Sequence, residues 1–183
     1  MKKFINKMRG GGEQKTLKGK LLREICWSSG MTFIGIYAVY WVNRAFGMTE
    51  IGSLFLIGSF GATAVLLYCA PASDYSQPRN VVGGHFVSAL AGVLMYKFFP
   101  ENFALSCALA ASVAIAGMYI TRTMHPPGGA TAMITIINPN AHALGFVFAF
   151  VPVLMGALIM LLIAILMNNL SSDPERRYPR YWF

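Results

Sequence analysis

Four stretches of the chain, about 25–46, 50–70, 80–99 and 103–121, are long and apolar enough for a membrane-spanning helix, which takes about 20 mostly apolar residues. A fifth, about 144–168, is the most hydrophobic and stops at Asn168-Asn169. Between the last two lies the apolar but short piece 126–139, which starts with Pro126-Pro127-Gly128-Gly129 and ends on Pro139. It predicts a short helix, a half-span or a re-entrant hairpin. Pro152 falls inside the last span and predicts a kink there. The pattern is that of an all-α, polytopic transmembrane helical bundle.

Two details add organisation. Gly61-Ala62-Thr63-Ala64 precedes Pro71 by the same spacing with which Gly129-Ala130-Thr131-Ala132 precedes Pro139, and both pairs are offset by 68 residues. Each copy has a clear span before it and another after it, which predicts two inverted three-segment repeats. Small residues also recur every four positions, at Gly84, Ser88 and Gly92 in the third span and at Ala104, Ala108, Ser112 and Ala116 in the fourth. Apolar side chains gain little by leaving lipid, so small faces of this kind are expected to hold helices together by close backbone approach.

Composition agrees: 56% of the 183 residues are hydrophobic and only 12% are charged, about half the charge of a soluble domain. The net charge of +8 is concentrated, with Lys2, Lys3, Lys7, Arg9, Lys15, Lys18, Lys20 and Arg23 at one end and Arg176, Arg177 and Arg180 at the other. A nucleic-acid binder would spread such charge along a face, so no nucleic-acid partner is expected. The charge instead reads as topology. Six crossings put both tails, Arg79 and Arg122 in the cytoplasm and only Arg44 and Lys97 outside; leaving out the short piece makes the count 10 to 5. The expected division is a basic cytoplasmic tail at 1–24, a membrane domain at 25–170 and a cytoplasmic tail at 171–183. No cleavage site follows the first span, which is expected to be retained. The basic tail suits anionic headgroups. Cys26, Cys69 and Cys107 match no zinc or redox spacing and are expected to be packing residues.

Candidate chemistry gathers around Arg122-Thr123-Met124-His125-Pro126-Pro127-Gly128-Gly129. A helix starting at Pro126 or Pro127 would turn its free amides toward Arg122 and His125, and a helix start binds anions. Ser59 stands in the first copy where the second has this helix start, and in an inverted fold the two helix starts approach each other, with Thr63 and Thr131 in equivalent positions and their hydroxyls able to donate. A second cluster, Arg79, Asn80 and His85, forms its mirror image or one wall of the pathway. A snorkelling Arg122 and a His125 that merely caps the turn are the bland alternatives. Glu50 and Asp74 read as interfacial charges. His85, His125 and His142 show no metal-ligand spacing, and no nucleophile–base pair or cofactor motif is present, so no enzyme, metal or cofactor is expected.

His125-Pro126-Pro127-Gly128-Gly129-Ala130-Thr131-Ala132 resembles the signature of the HPP family of integral membrane proteins. Gln77-Pro78-Arg79-Asn80 with Gly83-Gly84-His85, Gly58-Ser59-Phe60-Gly61-Ala62, and the ending Arg177-Tyr178-Pro179-Arg180-Tyr181-Trp182 resemble further family motifs, in order, over about 27–182. The resemblance implies a small multi-spanning protein of bacterial inner membranes or plastid membranes, usually described with four spans. Some members are linked to nitrite transport. The Lys-rich, Ser-poor start is unlike a transit peptide and favours the bacterial inner membrane. A transporter or channel for a small inorganic anion, nitrite first, is therefore expected, with Arg122, His125, Pro126, Pro127, Gly128, Gly129, Thr131, Thr63, Ser59, Arg79, Asn80 and His85 around the substrate. That expectation needs the Pro-Pro helix start to face a water-accessible pocket. The alternative is a non-transporting scaffold or accessory subunit that binds a partner through the basic tail. At about 20 kDa the chain leaves room for a homo-oligomer.

Overall fold

The computed structural model describes residues 21–47 and 58–183. The basic N-terminal run up to Lys20, Glu50 and the first part of the second predicted span lie outside the described residues. What is described is all helical: α1 Leu21–Ala45, α2 Gly58–Cys69 with a closing π turn, α3 Pro78–Phe98, α4 Phe103–Thr121, α5 Pro127–Ile137, α6 Pro139–Leu144 and α7 Ala149–Leu170. Four of these, α1, α3, α4 and α7, are long and apolar enough to cross a bilayer, and α2 and α5 are shorter apolar helices. With 11 residues, α5 is about 17 Å long, roughly half a ~30 Å hydrocarbon core.

Local chemistry sets the ends. Pro78 and Pro127 open α3 and α5 at positions where a missing N–H is harmless. The Asn102 side chain accepts the Leu105 amide at 3.1 Å and caps α4. Arg122 closes α4 in the left-handed region at φ 56°. The Pro152 kink is present, as non-helical backbone at Val151.

Contacts fix the path of the chain. Glu24 of α1 meets Arg176 of the tail, Ser28 donates to the Tyr68 carbonyl at the end of α2, and Arg79 at the start of α3 donates to the Thr121 carbonyl at the end of α4. These groups share one end of the bundle. At the other end, Tyr96 and Lys97 in the last turn of α3 meet His142 of α6 and Phe146, just before α7. Residues 127–148 therefore carry the chain from one end to the other as a short helix, a second short helix and a turn.

The centre is α3, which packs on α4, α5 and the kinked start of α7. Its stripe Gly84, Ser88, Gly92 is the seat of α5. A Cβ on Gly92 would stand 2.6 Å from both the Ala132 carbonyl and the Thr135 Cβ, and one on Gly128 would stand 2.6 Å from the Ser88 hydroxyl. The stripe expected on α4 is corrected: Ala104, Ala108, Ser112 and Ala116 face outward, and Cys107, Ala110, Ala114 and Met118 pack inward. That helix has small residues on two faces, so spacing alone cannot choose between them. Cys26 and Cys69 also lie on the surface, and only Cys107 is in the core. Phe33, Tyr119, Ile120, Leu166 and Leu170 are exposed, as lipid contact requires and water would not tolerate in such number.

Candidate functional site

Where α2, α3 and α5 meet, four polar side chains with no exposed surface join in one chain: Thr63 from α2, His85 from α3, Thr131 from α5 and His125 from the loop that opens α5. His85 Nδ1 lies 2.8 Å from Thr131 Oγ1, and His85 Nε2 lies 2.7 Å from Thr63 Oγ1. Thr63 Oγ1 is also 3.0 Å from His125 Nε2, and His125 Nδ1 is 2.7 Å from the Tyr75 carbonyl. The ring centroids of the two histidines are 4.9 Å apart, with Phe60 against the outer face of His85.

The geometry dictates where the hydrogens are. A carbonyl only accepts, so His125 Nδ1 carries a hydrogen and donates to Tyr75. Among the described residues no carboxylate bonds to either ring, an environment that favours neutral imidazoles. His125 Nε2 then accepts from the Thr63 hydroxyl, Thr63 accepts from His85 Nε2–H, and His85 Nδ1 accepts from the Thr131 hydroxyl. One carbonyl thus orders the donors from Thr131 through to Tyr75. Thr63 and Thr131 also have alternative acceptors one turn back, the Ser59 carbonyl at 3.2 Å and the Pro127 carbonyl at 3.3 Å.

Close approach makes this possible. Gly83 and Gly84 let the 123–125 segment lie directly on α3: an added Cβ on Gly84 would collide with the Cβ of His125, and one on Gly83 with the side chain of Thr123. Ser88, one turn beyond His85, is fully buried and its hydroxyl has no partner among the described residues.

Of the residues expected in the site, Thr63, His85, His125 and Thr131 are brought together, with the buried Ser59 and Pro127 supplying carbonyls. Others stand apart. Arg122 is exposed at the end of α4, where its amide donates to the Tyr119 carbonyl at 3.2 Å and its guanidinium does not reach the His–Thr cluster. Arg79 holds the Thr121 carbonyl at 2.9 Å, a cation on a helix C-terminus. Asn80 donates to the Asp74 carbonyl at 2.6 Å. The amides at the start of α5 are not presented to a pocket, because Gly128 N–H and Gly129 N–H donate to the His125 and Pro126 carbonyls at 2.8 and 3.1 Å. Gly128 is buried against α3, Pro126 faces out, and Gly129 is half-buried. The helix start is closed in this conformation, since the Pro-Pro turn uses its own first amides and the glycines draw α3 over it.

A second buried cluster was not expected. Arg176, assigned to topology by its position, is only 3% exposed. It bonds Glu24 at 2.5 Å, Ser28 Oγ at 2.7 Å, and the Tyr68 carbonyl and Asn168 Oδ1 at 3.0 Å each. The tail then folds back: Tyr178 donates to the Ser76 carbonyl at 2.6 Å, and Gln77 Oε1 accepts the Arg180 amide at 2.8 Å. Burial first, and the Tyr68 phenol second, push the Tyr178 hydroxyl far above its usual range. The Tyr181 hydroxyl is also raised, by desolvation and by its bond to Asp74. A tyrosine–proline–arginine run in an otherwise polar tail was the available signal for this latch. Nearby, an amphipathic cavity of about 1010 Å³ is lined by Ser28, Phe33, Cys69, Pro71 and Arg176, among others.

Comparison with known proteins agrees with the motifs. Residues 18–179 match the family described as HPP, transmembrane region. Two proteins of Dictyostelium discoideum, both described as transmembrane proteins, are 42% identical over 94% of this chain and 39% identical over 98% of it. The chain spans 55% and 63% of their lengths. No solved structure matches. The chain belongs to the HPP transmembrane family and is a multi-pass membrane protein.

Proposed function

We propose that this HPP-family protein carries a small inorganic anion across the bilayer, with nitrite as the specific candidate, and that the His–Thr cluster between α2, α3 and α5 is the polar step of the passage. The observation that carries the reading is the cluster itself. Two imidazoles and two hydroxyls are enclosed in a bundle whose outer face is apolar, beside a buried Ser88 hydroxyl with no partner among the described residues. Ionisable groups at membrane depth are expensive and mark substrate and ion pathways. The donors available are hydroxyl and imidazole N–H groups, which suit a small anion whose oxygens only accept. The cluster is fully covered here, so the conformation described is the closed state of an alternating path.

The remaining features fit this reading. Thr63 and Thr131, equivalent in the two Gly-Ala-Thr-Ala copies, bond opposite nitrogens of the same ring, and both copies lie on short apolar helices. Two inverted repeats meeting at the site would place them so. Six crossings then put both tails on the cytoplasmic side of a cell inner membrane, with the basic N-terminal run on anionic headgroups. A homo-oligomer suits a chain of this size.

Purified full-length protein in liposomes tests the reading by nitrite uptake. Uptake above protein-free vesicles is expected, with Thr63→Val lowering it about tenfold, the equivalent of one hydrogen bond of ~1.4 kcal/mol. Uptake no faster than in protein-free vesicles would remove the transport reading and leave the scaffold alternative.

A further inference from the structure

We infer that His85 and His125 form a single proton-binding unit, switched by the Thr63 and Thr131 hydroxyls, so that the anion passage gains its positive charge from one proton taken up with the anion. The inference rests on the proposed anion passage for its purpose, but its geometry stands independently.

The neutral network already pairs every donor, and it also has a defined way to hold one more. If a proton from water bonds to His85 Nδ1, that nitrogen becomes a donor to Thr131 Oγ1. Thr131 then turns its own hydrogen to the Pro127 carbonyl, 3.3 Å away. If the proton bonds to His125 Nε2 instead, Thr63 Oγ1 accepts from both rings and turns its hydrogen to the Ser59 carbonyl, 3.2 Å away. In either form one N–H bond is made, one hydroxyl rotates, and no buried donor is left without an acceptor. The charge also passes between the rings through Thr63, which takes the Nε2 proton of a doubly protonated His85 and gives its own to His125 Nε2; this leaves His85 protonated at Nδ1, with Thr63 donating to its bare Nε2.

Only one proton fits. Two imidazolium rings with centroids 4.9 Å apart would repel strongly away from water. A single imidazolium, by contrast, has no carboxylate bonded to it among the described residues. The charged and titratable groups on the surrounding elements are Tyr68 and Cys69 at the end of α2, Asp74 and Tyr75 in the turn before α3, Arg79, Tyr96 and Lys97 on α3, and Cys107, Tyr119 and Arg122 on α4 or at its end. From the tail come Arg176, Tyr178 and Tyr181, and α5 contributes none. Among the described residues, none of these side chains bonds either ring; Tyr75 contributes only its carbonyl. Glu24 and Asp173 are paired with Arg176 and Arg23, and Asp74 accepts from Tyr181. With no counter-charge among the described residues, a charge created on the histidines is balanced by the incoming anion.

The test uses full-length protein labelled with ¹⁵N-histidine in lipid bilayers. His142, stacked on Tyr96 at the far end of α3, serves as the internal control. At neutral pH the ¹⁵N shifts should report His125 protonated at Nδ1 and His85 at Nε2. On acidification the two rings should move together and take up one proton between them. Thr63→Val should separate their titrations, and Thr63→Ser should restore the joint one. Two rings that titrate independently, or that stay neutral until the protein unfolds, overturn the inference. A parallel assay follows nitrite and lumenal pH in proteoliposomes, with protein-free vesicles subtracted. Proton entry matching nitrite entry one for one supports the coupling. Nitrite entry without protein-dependent proton entry overturns the coupling and leaves the anion passage standing. Joint titration without nitrite entry keeps the proton site and removes nitrite as its anion.

Discussion

Arg176 and His85 are both almost completely buried, at 3% and 0% exposed, yet their surroundings differ in kind. Around Arg176 the charge is permanent and its partners are fixed: Glu24 supplies the counter-charge, and Ser28, Asn168 and the Tyr68 carbonyl take the remaining donors. Around His85 the described residues supply no counter-charge, and the two hydroxyls that bond it each have a second acceptor within 3.3 Å. The first arrangement has one low-energy state and suits a latch that ties the tail to α1 and α2. The second has several states close in energy and suits a site that changes charge. Buried polarity alone does not tell a structural from a functional cluster; the availability of alternative partners does.

The largest effect that would test this contrast is expected at the latch. Arg176→Met removes one partner of a buried pair, which costs about 3–5 kcal/mol, toward the lower value because the Glu24 side chain is 26% exposed. Thermal unfolding in detergent should show the loss, and Glu24→Leu in the same chain should recover much of it. A single variant as stable as the parent would mean that the tail is not held there.

Next comes the seat of the site. Gly84→Ala puts a methyl into His125, an overpacking that typically costs about 1–3 kcal/mol, and the midpoint of unfolding should fall accordingly. Because the displaced residue is His125, nitrite flux should fall further than stability does. Thr63→Val ranks third: it leaves His85 Nε2–H and His125 Nε2 without their partner, at about 1–3 kcal/mol. Thr63→Ser should stay close to the parent in both unfolding and flux. Equal behaviour of the two variants would show that the hydroxyl is not what matters.

Arg122→Gly is the smallest. It removes an exposed cation from a left-handed backbone position at φ 56°, where glycine relieves roughly 1 kcal/mol of strain. A slight rise in stability with unchanged nitrite uptake is expected. A collapse of uptake would return Arg122 to the site and make the closed His–Thr cluster secondary.

Much of the fold was legible because a bilayer constrains it heavily. Length and hydropathy located α1, α3, α4 and α7, Pro78 and Pro127 marked two helix starts, and Pro152 marked the kink. The candidate site was legible in part. His85, His125, Thr63 and Thr131 drew notice as polar groups in apolar or helix-breaking context, and those four meet. Arg122, Arg79 and Asn80 drew notice for the same reason and do not join them. A charge at the edge of a span has the same sequence signature whether it turns to a cavity, to a headgroup or to a helix end. Arg176 shows the converse, a tail arginine that lies inside.

The sequence by itself determined that this protein lives in a membrane, which stretches are helical and where they break, because those properties follow from local composition and from residues that cannot continue a helix. Only the tertiary structure decided which face of α4 packs, that the Pro-Pro helix start closes on itself, and that two histidines some 40 positions apart share one threonine. Those outcomes depend on the rotation and depth of each helix against its neighbours, set by backbone contacts at Gly84, Gly92 and Gly128; a four-residue spacing of small residues does not name the neighbour it meets, and the same spacing on α4 faces outward.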